Sequence, residues 1–141
     1  MADIQTVLVE DDQQTRLDLR VALRSQEGIE VASEATNGET GLVLLESIDV
    51  DVAVVDSTLP DISLAEFVEK MRDMQAESYV TLSKVLILVD AGSGADLPTL
   101  MRSGADGYCP KQAPIERLAA AVRAVYAGER YVDPVLAGES L

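Results

Sequence analysis

The chain has 141 residues, 25 acidic and 11 basic, for a formal net charge of −14 at pH 7. Apolar residues make up 48%, which excludes a disordered chain and fits one domain with a sizeable core. The acidic balance argues against direct nucleic-acid binding, which needs clustered Lys and Arg; the lack of histidine removes Ser-His-Asp and Cys-His catalysis and histidine-ligated zinc.

A metal held by such a chain must sit on oxygens, which selects a hard ion such as Mg²⁺. The single cysteine, Cys109, allows no intrachain disulfide. No apolar run approaches the roughly 18–20 residues that span a bilayer. The start MADIQTVLVEDD lacks the basic and apolar regions of a signal peptide. A cytoplasmic location without membrane contact is therefore expected.

In chain order, Thr6–Val9 (TVLV) reads as a first strand, bounded by the acids Glu10, Asp11 and Asp12. A helix follows from Arg16 to Leu23. Ile29–Ala32 (IEVA) reads as a second strand, and Asn37 as the N-cap of a helix through Leu42, Leu45 and Ile48. Val52–Val55 is the third strand and ends abruptly at Asp56. Leu64, Phe67, Val68 and Met71 then recur at helical spacing. Segment 74–84 is less periodic, so the third helix or its following loop is expected to be extended.

Val85–Val89 (VLILV) is a continuous apolar run, as expected for a central parallel strand buried on both faces. A Gly-rich loop, Asp90–Asp96, leads into a short helical stripe at Leu97, Leu100 and Met101 that Gly104 stops. Gly107–Cys109 is a brief fifth strand. Ile115, Leu118, Ala119, Val122 and Val125 give the clearest helix, ended by Gly128. Its apolar stripe is needed to cover the sheet and is no evidence of a dimer. The remaining tail reads as a linker or a frayed end. Five strands alternating with five helices imply a parallel α/β sheet covered on both faces, with right-handed crossovers.

In such a sheet, ligands bind beyond the carboxyl ends of the strands. Glu10 and Asp11 follow the first strand and Asp56 ends the third. If those strands are neighbours, the three acids share one pocket. Two unit charges about 4 Å apart repel by roughly 4 kcal/mol at an effective dielectric near 20. Mg²⁺ between them relieves this repulsion; a solvated acidic turn at Glu10, Asp11 and Asp12 is the alternative. Lys111, just after the fifth strand, falls on the same rim and offers a compact positive charge to an anion.

The segments VLVEDD, VVDSTLPD and GADGYCPK, in this order and spacing, resemble the receiver domain of two-component response regulators. The likeness runs from Thr6 to about Gly128, giving a receiver domain over 1–128 and a linker or tail over 129–141. The stretch GYCPKQAPIERLAAAVRAVYAGERYVDPVLA looks most like the NarL/FixJ (LuxR-type) subgroup. The resemblance implies the flavodoxin/CheY-like (βα)5 fold, a doubly wound parallel five-stranded sheet in the order 2-1-3-4-5. It implies that Asp56 accepts a phosphoryl group from a partner histidine kinase, with Mg²⁺ held by Glu10, Asp11, Asp56 and the Ser57 carbonyl. By the same resemblance Lys111 pairs with the phosphoryl group and Tyr108 changes position on activation. Tyr108 also has a plainer reading, as a partly buried aromatic at a strand end. No enzyme activity is implied beyond self-phosphorylation from small donors and autodephosphorylation. The output would be transcription through a DNA-binding domain that these residues do not contain, with a second copy of the chain, in a homodimer, as a further candidate partner.

The chain departs from the family pattern. Val89 stands where a Thr or Ser hydroxyl is usual, and a one-residue gap would put Asp90 there instead. Neither donates a hydroxyl hydrogen bond to a phosphoryl oxygen. Ser93 in the following loop is a candidate substitute. Leu64 replaces a usual glycine, and Gln112 replaces the proline that often follows the lysine. Pro110 precedes the lysine instead, and trans is expected for Cys109–Pro110. These departures leave a second reading: an atypical receiver serving as a phosphorylation-independent interaction or dimerisation module. A flavodoxin-like nucleotide or flavin binder would want Gly, Ser or Thr after the first strand, where EDDQQT presents acids. A metal hydrolase would need another base or nucleophile, and no such set is visible.

Overall fold

Short runs of aliphatic residues build one six-stranded sheet, seen in a computed structural model that describes residues 2–77, 83–90 and 96–138. The strands are β1 (Ile4–Val9), β2 (Ile29–Ala35), β3 (Val52–Asp56), β4 (Lys84–Val89), β5 (Gly107–Pro110) and β6 (Tyr131–Val132). Between them run α1 (Gln13–Arg24), α2 (Gly38–Ser47), α3 (Leu64–Ala76), α4 (Leu97–Met101) and α5 (Ile115–Tyr126). The order is β2-β1-β3-β4-β5-β6, and every neighbouring pair is parallel. The expected 2-1-3-4-5 order holds. The expected five-stranded sheet gains a sixth strand from residues that read as tail.

Alternation along the strands divides the core in two. Val7, Val9, Val85, Ile87 and Val89 face one layer with Phe67, Met71 and Leu100. Leu8, Val52, Val54, Leu86 and Leu88 face the other with Leu19, Leu23, Leu118 and Val122. Each fully buried side chain of this kind stabilises the fold by roughly 1.5–3 kcal/mol. Both faces are therefore covered, as continuous apolar strands require. The buried residues of α5, from Leu118 to Val125, pack on the sheet as expected.

Several boundaries differ from the sequence reading for local reasons. β1 starts at Ile4 because Ile4 and Gln5 already pair with Ile29 and Glu30 of β2, while the Gln5 backbone N–H is also satisfied by Asp51 Oδ2 at 2.8 Å. α1 starts at Gln13 because Asp12 caps it, accepting from the backbone N–H of Thr15 at 2.9 Å. The Thr15 hydroxyl, and then that N–H, hold the Asp12 carboxyl below its ordinary value of 3.8. β2 continues to Ala35 because Ser33, Glu34 and Ala35 pair with Val7, Leu8 and Val9 of β1, and Glu34 is also ion-paired with Arg16 and Arg20 of α1. Leu64 opens α3 as a buried residue behind the cap Ser63, whose Oγ accepts from the Glu66 N–H at 3.1 Å. α3 is described through Ala76 and its C-cap Glu77; residues 78–82, in the stretch expected to be extended, lie outside the described residues.

α2 has two caps. Asn37 accepts from Thr40 N–H as expected, and Asp61 reaches across from the β3–α3 loop to accept from Gly38 and Glu39 N–H at 2.8 and 2.9 Å. These bonds, that to Glu39 first, hold the Asp61 carboxyl below 3.8 despite some desolvation. Gly128 takes φ +89° and ends α5, its N–H bonding Val125 O while Glu129 N–H bonds Ala124 O. All described peptide bonds are trans, Cys109–Pro110 included.

Gly107 opens β5 where α5 lies close. A Cβ there would sit 2.6 Å from Val125 Cγ1 and 3.1 Å from Leu86 Cδ1. Gly107→Ala is expected to destabilise the fold by about 1–3 kcal/mol. Chemical denaturation checks this; an unchanged midpoint would mean that α5 yields without strain.

Candidate functional site

Parallel pairing of β1 with both β2 and β3 puts the carboxyl ends of β1 and β3 side by side. Asp56 is the last residue of β3 and pairs with Leu88 of β4. Glu10 and Asp11 leave the end of β1. Their carboxylate oxygens and that of Asp56 lie within 4.8 Å of one another. Glu10 and Asp56 are buried, whereas Asp11 is exposed.

The sequence separates these acids widely, yet the rim holds them in set positions. Glu10 Oε2 accepts from the Asp12 N–H at 3.1 Å. Asp56 Oδ1 accepts from the Thr58 N–H at 3.1 Å. Lys111 comes in from the end of β5, its backbone N–H bonded to Val89 O at 2.9 Å. Its Nζ lies 2.7 Å from Glu10 Oε1 and 3.0 Å from Asp56 Oδ2. Burial disfavours the ammonium, but contacts to the Glu10 and Asp56 carboxylates outweigh it and hold the Lys111 pKa above 10.5.

The charge balance has a consequence. Three carboxylates and one ammonium leave two negative charges in a pocket with two buried acids. A divalent cation restores neutrality. The donors are all oxygen, and the exposed Asp11 leaves an open side for water ligands. The residues present thus fit Mg²⁺.

The other named residues divide. Ser57 follows Asp56 and continues the ladder, its N–H bonding Leu88 O at 2.9 Å. Its Oγ is buried without a hydrogen-bond partner among the described residues. Val89 is the last residue of β4, so the end of the strand carries valine and Asp90 lies beyond it. The Val89 side chain belongs to the apolar layer that also contains Tyr108. Tyr108 is fully buried, more than the partly buried aromatic of the plainer reading, and its hydroxyl lies 3.3 Å from Ser103 Oγ. Gln112 lies in the turn after Lys111. Ser93 lies outside the described residues.

Two features escaped the sequence reading. Arg16 donates from Nη1 to the Glu10 carbonyl at 2.9 Å and ion-pairs with Glu34 of β2; a side chain of α1 that bridges the end of β1 to β2 has no local signature. Behind β5, the buried Asp133 ion-pairs with Arg117 and accepts from Tyr131 Oη at 3.2 Å. The Cys109 thiol faces it at 3.9 Å; burial, then the Asp133 charge, pushes that thiol up to about 12. Cys109 is accordingly a thiol, not a thiolate, near neutral pH. Among the described residues, no helix is long and apolar enough to cross a membrane.

Residues 6–123 match the response regulator receiver domain family. The chain is 32% identical over 135 residues to the response regulator GacA of Pseudomonas aeruginosa, covering 95% of this chain and 60% of that protein. It is 30% identical over 130 residues to the nitrate/nitrite response regulator protein NarL of Escherichia coli, covering 92% of this chain and 58% of that protein. It therefore spans about 60% of the length of the curated relatives it matches. Among solved structures, the response regulator ChrA of a heme-sensing two-component system superposes with a TM-score of 0.80 at 28% identity, over 99% of this chain and 64% of that one. With its acids and lysine gathered on the rim that the family resemblance named, the chain belongs to the response regulator receiver domain family.

Proposed function

We propose that this domain receives a phosphoryl group on Asp56 from the phosphohistidine of a partner histidine kinase. The observation that carries the reading is the placement of Lys111 Nζ against both Asp56 and Glu10, beside a three-carboxylate cluster. In the transfer, an Asp56 oxygen bonds to phosphorus as the phosphorus–nitrogen bond to the kinase imidazole breaks. The imidazole leaves with the electron pair and is protonated. The product is an acyl phosphate on Asp56.

Phosphoryl transfer depends mainly on alignment and charge neutralisation. Glu10, Asp11, Asp56 and the Ser57 carbonyl would hold Mg²⁺, which supplies charge neutralisation between the acceptor and the incoming phosphoryl oxygens. The Thr58 N–H fixes the orientation of the Asp56 carboxylate. Lys111 balances the acids before transfer and pairs with a phosphoryl oxygen after it. The added charge, roughly −1.5 to −2 by analogy with other phosphorylated side chains, is the signal. The relatives GacA and NarL are response regulators by name, and regulation of transcription through an output domain is the reading their likeness supports. A cytoplasmic setting suits such a phosphorelay.

Labelling with radioactive acetyl phosphate tests the proposal. Incorporation should require Mg²⁺ and disappear in Asp56→Asn; labelling that survives the substitution would defeat it.

Val89 favours a second reading for the step after phosphorylation. Its side chain lies in the Tyr108 layer and has no hydroxyl to engage a phosphoryl oxygen. On this reading the domain works as an interaction or dimerisation module with little phosphate control. Beryllofluoride with Mg²⁺ would then leave the Tyr108 resonances and the oligomeric state unchanged. A strong shift of both would exclude it.

A further inference from the structure

We propose that Arg16 is a positioning residue for the metal site, acting through the main-chain carbonyl of Glu10. The inference rests on reading Glu10, Asp11 and Asp56 as a Mg²⁺ site. Arg16 lies in the first turn of α1. Its Nη1 donates to the Glu10 carbonyl at 2.9 Å, while its Nε lies 3.4 Å from Glu34 Oε1 on β2. The Arg16 and Glu34 side chains are each only 18% exposed.

The carbonyl of Glu10 belongs to the same rigid peptide plane as the N and Cα of Asp11. Holding that oxygen therefore sets the plane from which the Asp11 side chain departs. Asp11 is the exposed member of the cluster, so its position is the least constrained by packing. The other groups of Glu10 are already tied: its N–H to Ala35 O at 3.0 Å, Oε2 to the Asp12 N–H, and Oε1 to Lys111. The Arg16 bond completes this fixation. Its planar fork spans two acceptors, one just past the end of β1 and one on β2, which a lysine point charge does not do. Partners that orient ligands in this way are worth about 10–100-fold in metal affinity.

The molecule contains its own control. Arg20 pairs with the same Glu34, at 2.7 Å, from the next turn of α1. It shares the anchor but serves α1 and β2, not the Glu10 carbonyl. A purely structural role for Arg16 would make the two arginines equivalent.

The test is Mg²⁺ titration of the full chain by calorimetry, with backbone amide shifts recorded without metal. Arg16→Ala should weaken Mg²⁺ binding about tenfold and move the metal-free amide resonances of Asp11 and Asp12. Arg16→Lys should recover part of the affinity. Arg20→Ala should leave affinity within about twofold and leave those resonances in place, whatever it does to thermal stability. Unchanged affinity in both Arg16 variants, or an equal loss in Arg20→Ala, would overturn the inference. Wild-type protein that takes up no Mg²⁺ would defeat the metal reading itself, and the inference with it.

Discussion

Replacing Lys111 with methionine should destabilise the folded chain by about 3–5 kcal/mol in the absence of divalent metal. Methionine keeps much of the apolar stem, so packing loss is small and the missing charge dominates. The Lys111, Glu10 and Asp56 side chains are 12%, 2% and 5% exposed. Removing the ammonium leaves two buried carboxylates with no cation between them. Chemical denaturation measures the loss, and saturating Mg²⁺ should recover a large part of it by binding the folded state alone.

The alkaline side supplies a check of sign. The folded Lys111 pKa is raised above 10.5. Its contribution is therefore fully present below the ordinary value and is lost as pH rises through the folded one. The stability gap between wild type and Lys111→Met should stay level from neutral pH to about pH 10.5 and close only above it. A gap that closes between neutral pH and that value would contradict the ion-pair account.

Asp133→Ala is expected to cost about 2–4 kcal/mol and to release β6 from the sheet edge. The Asp133 carboxylate is fully buried and holds four groups: Arg117, Tyr131 Oη, the Cys109 thiol and the Val135 N–H at 3.0 Å. Its backbone N–H also bonds Tyr108 O at 3.0 Å, tying the strand after α5 to β5. Arg117 is partly exposed and can turn to water when the acid is gone, which keeps the loss below that of a sealed pair. Amide exchange reads the effect locally. The N–H of Asp133 should lose protection in the variant while Leu86 and Ile87 in central β4 keep theirs. Retained protection at Asp133 would show that β6 holds without its acid.

The two variants mark what was and was not legible in the sequence. Glu10, Asp11, Asp56 and Lys111 stand next to apolar runs, so strand ends located them and the parallel topology gathered them. β6 was missed because two residues followed by Asp-Pro carry no period and read as tail. Only pairing with Gly107 and Tyr108 makes Tyr131–Val132 a strand. Asp133 was hidden for the same reason, since an acid in a tail looks solvated until Arg117 meets it. Arg16 depends on Glu34, whose position follows a β1–β2 register that shifts between Thr6 and Val7. No sequence pattern fixes such an irregularity. The caps were partly readable: Asn37 was found, whereas Asp61 reaches α2 from 22 residues away in sequence.

The central claim is that Asp56 itself carries the phosphoryl group. Protein treated with acetyl phosphate and Mg²⁺ can be reduced with borohydride, which converts a phosphorylated aspartate to homoserine. Peptide mass spectrometry then locates the site. Homoserine at position 56, and at no other acid of the rim, is the expected result. Homoserine at position 11 or 12, or an unaltered Asp56 in protein that has taken up phosphate, would contradict the account.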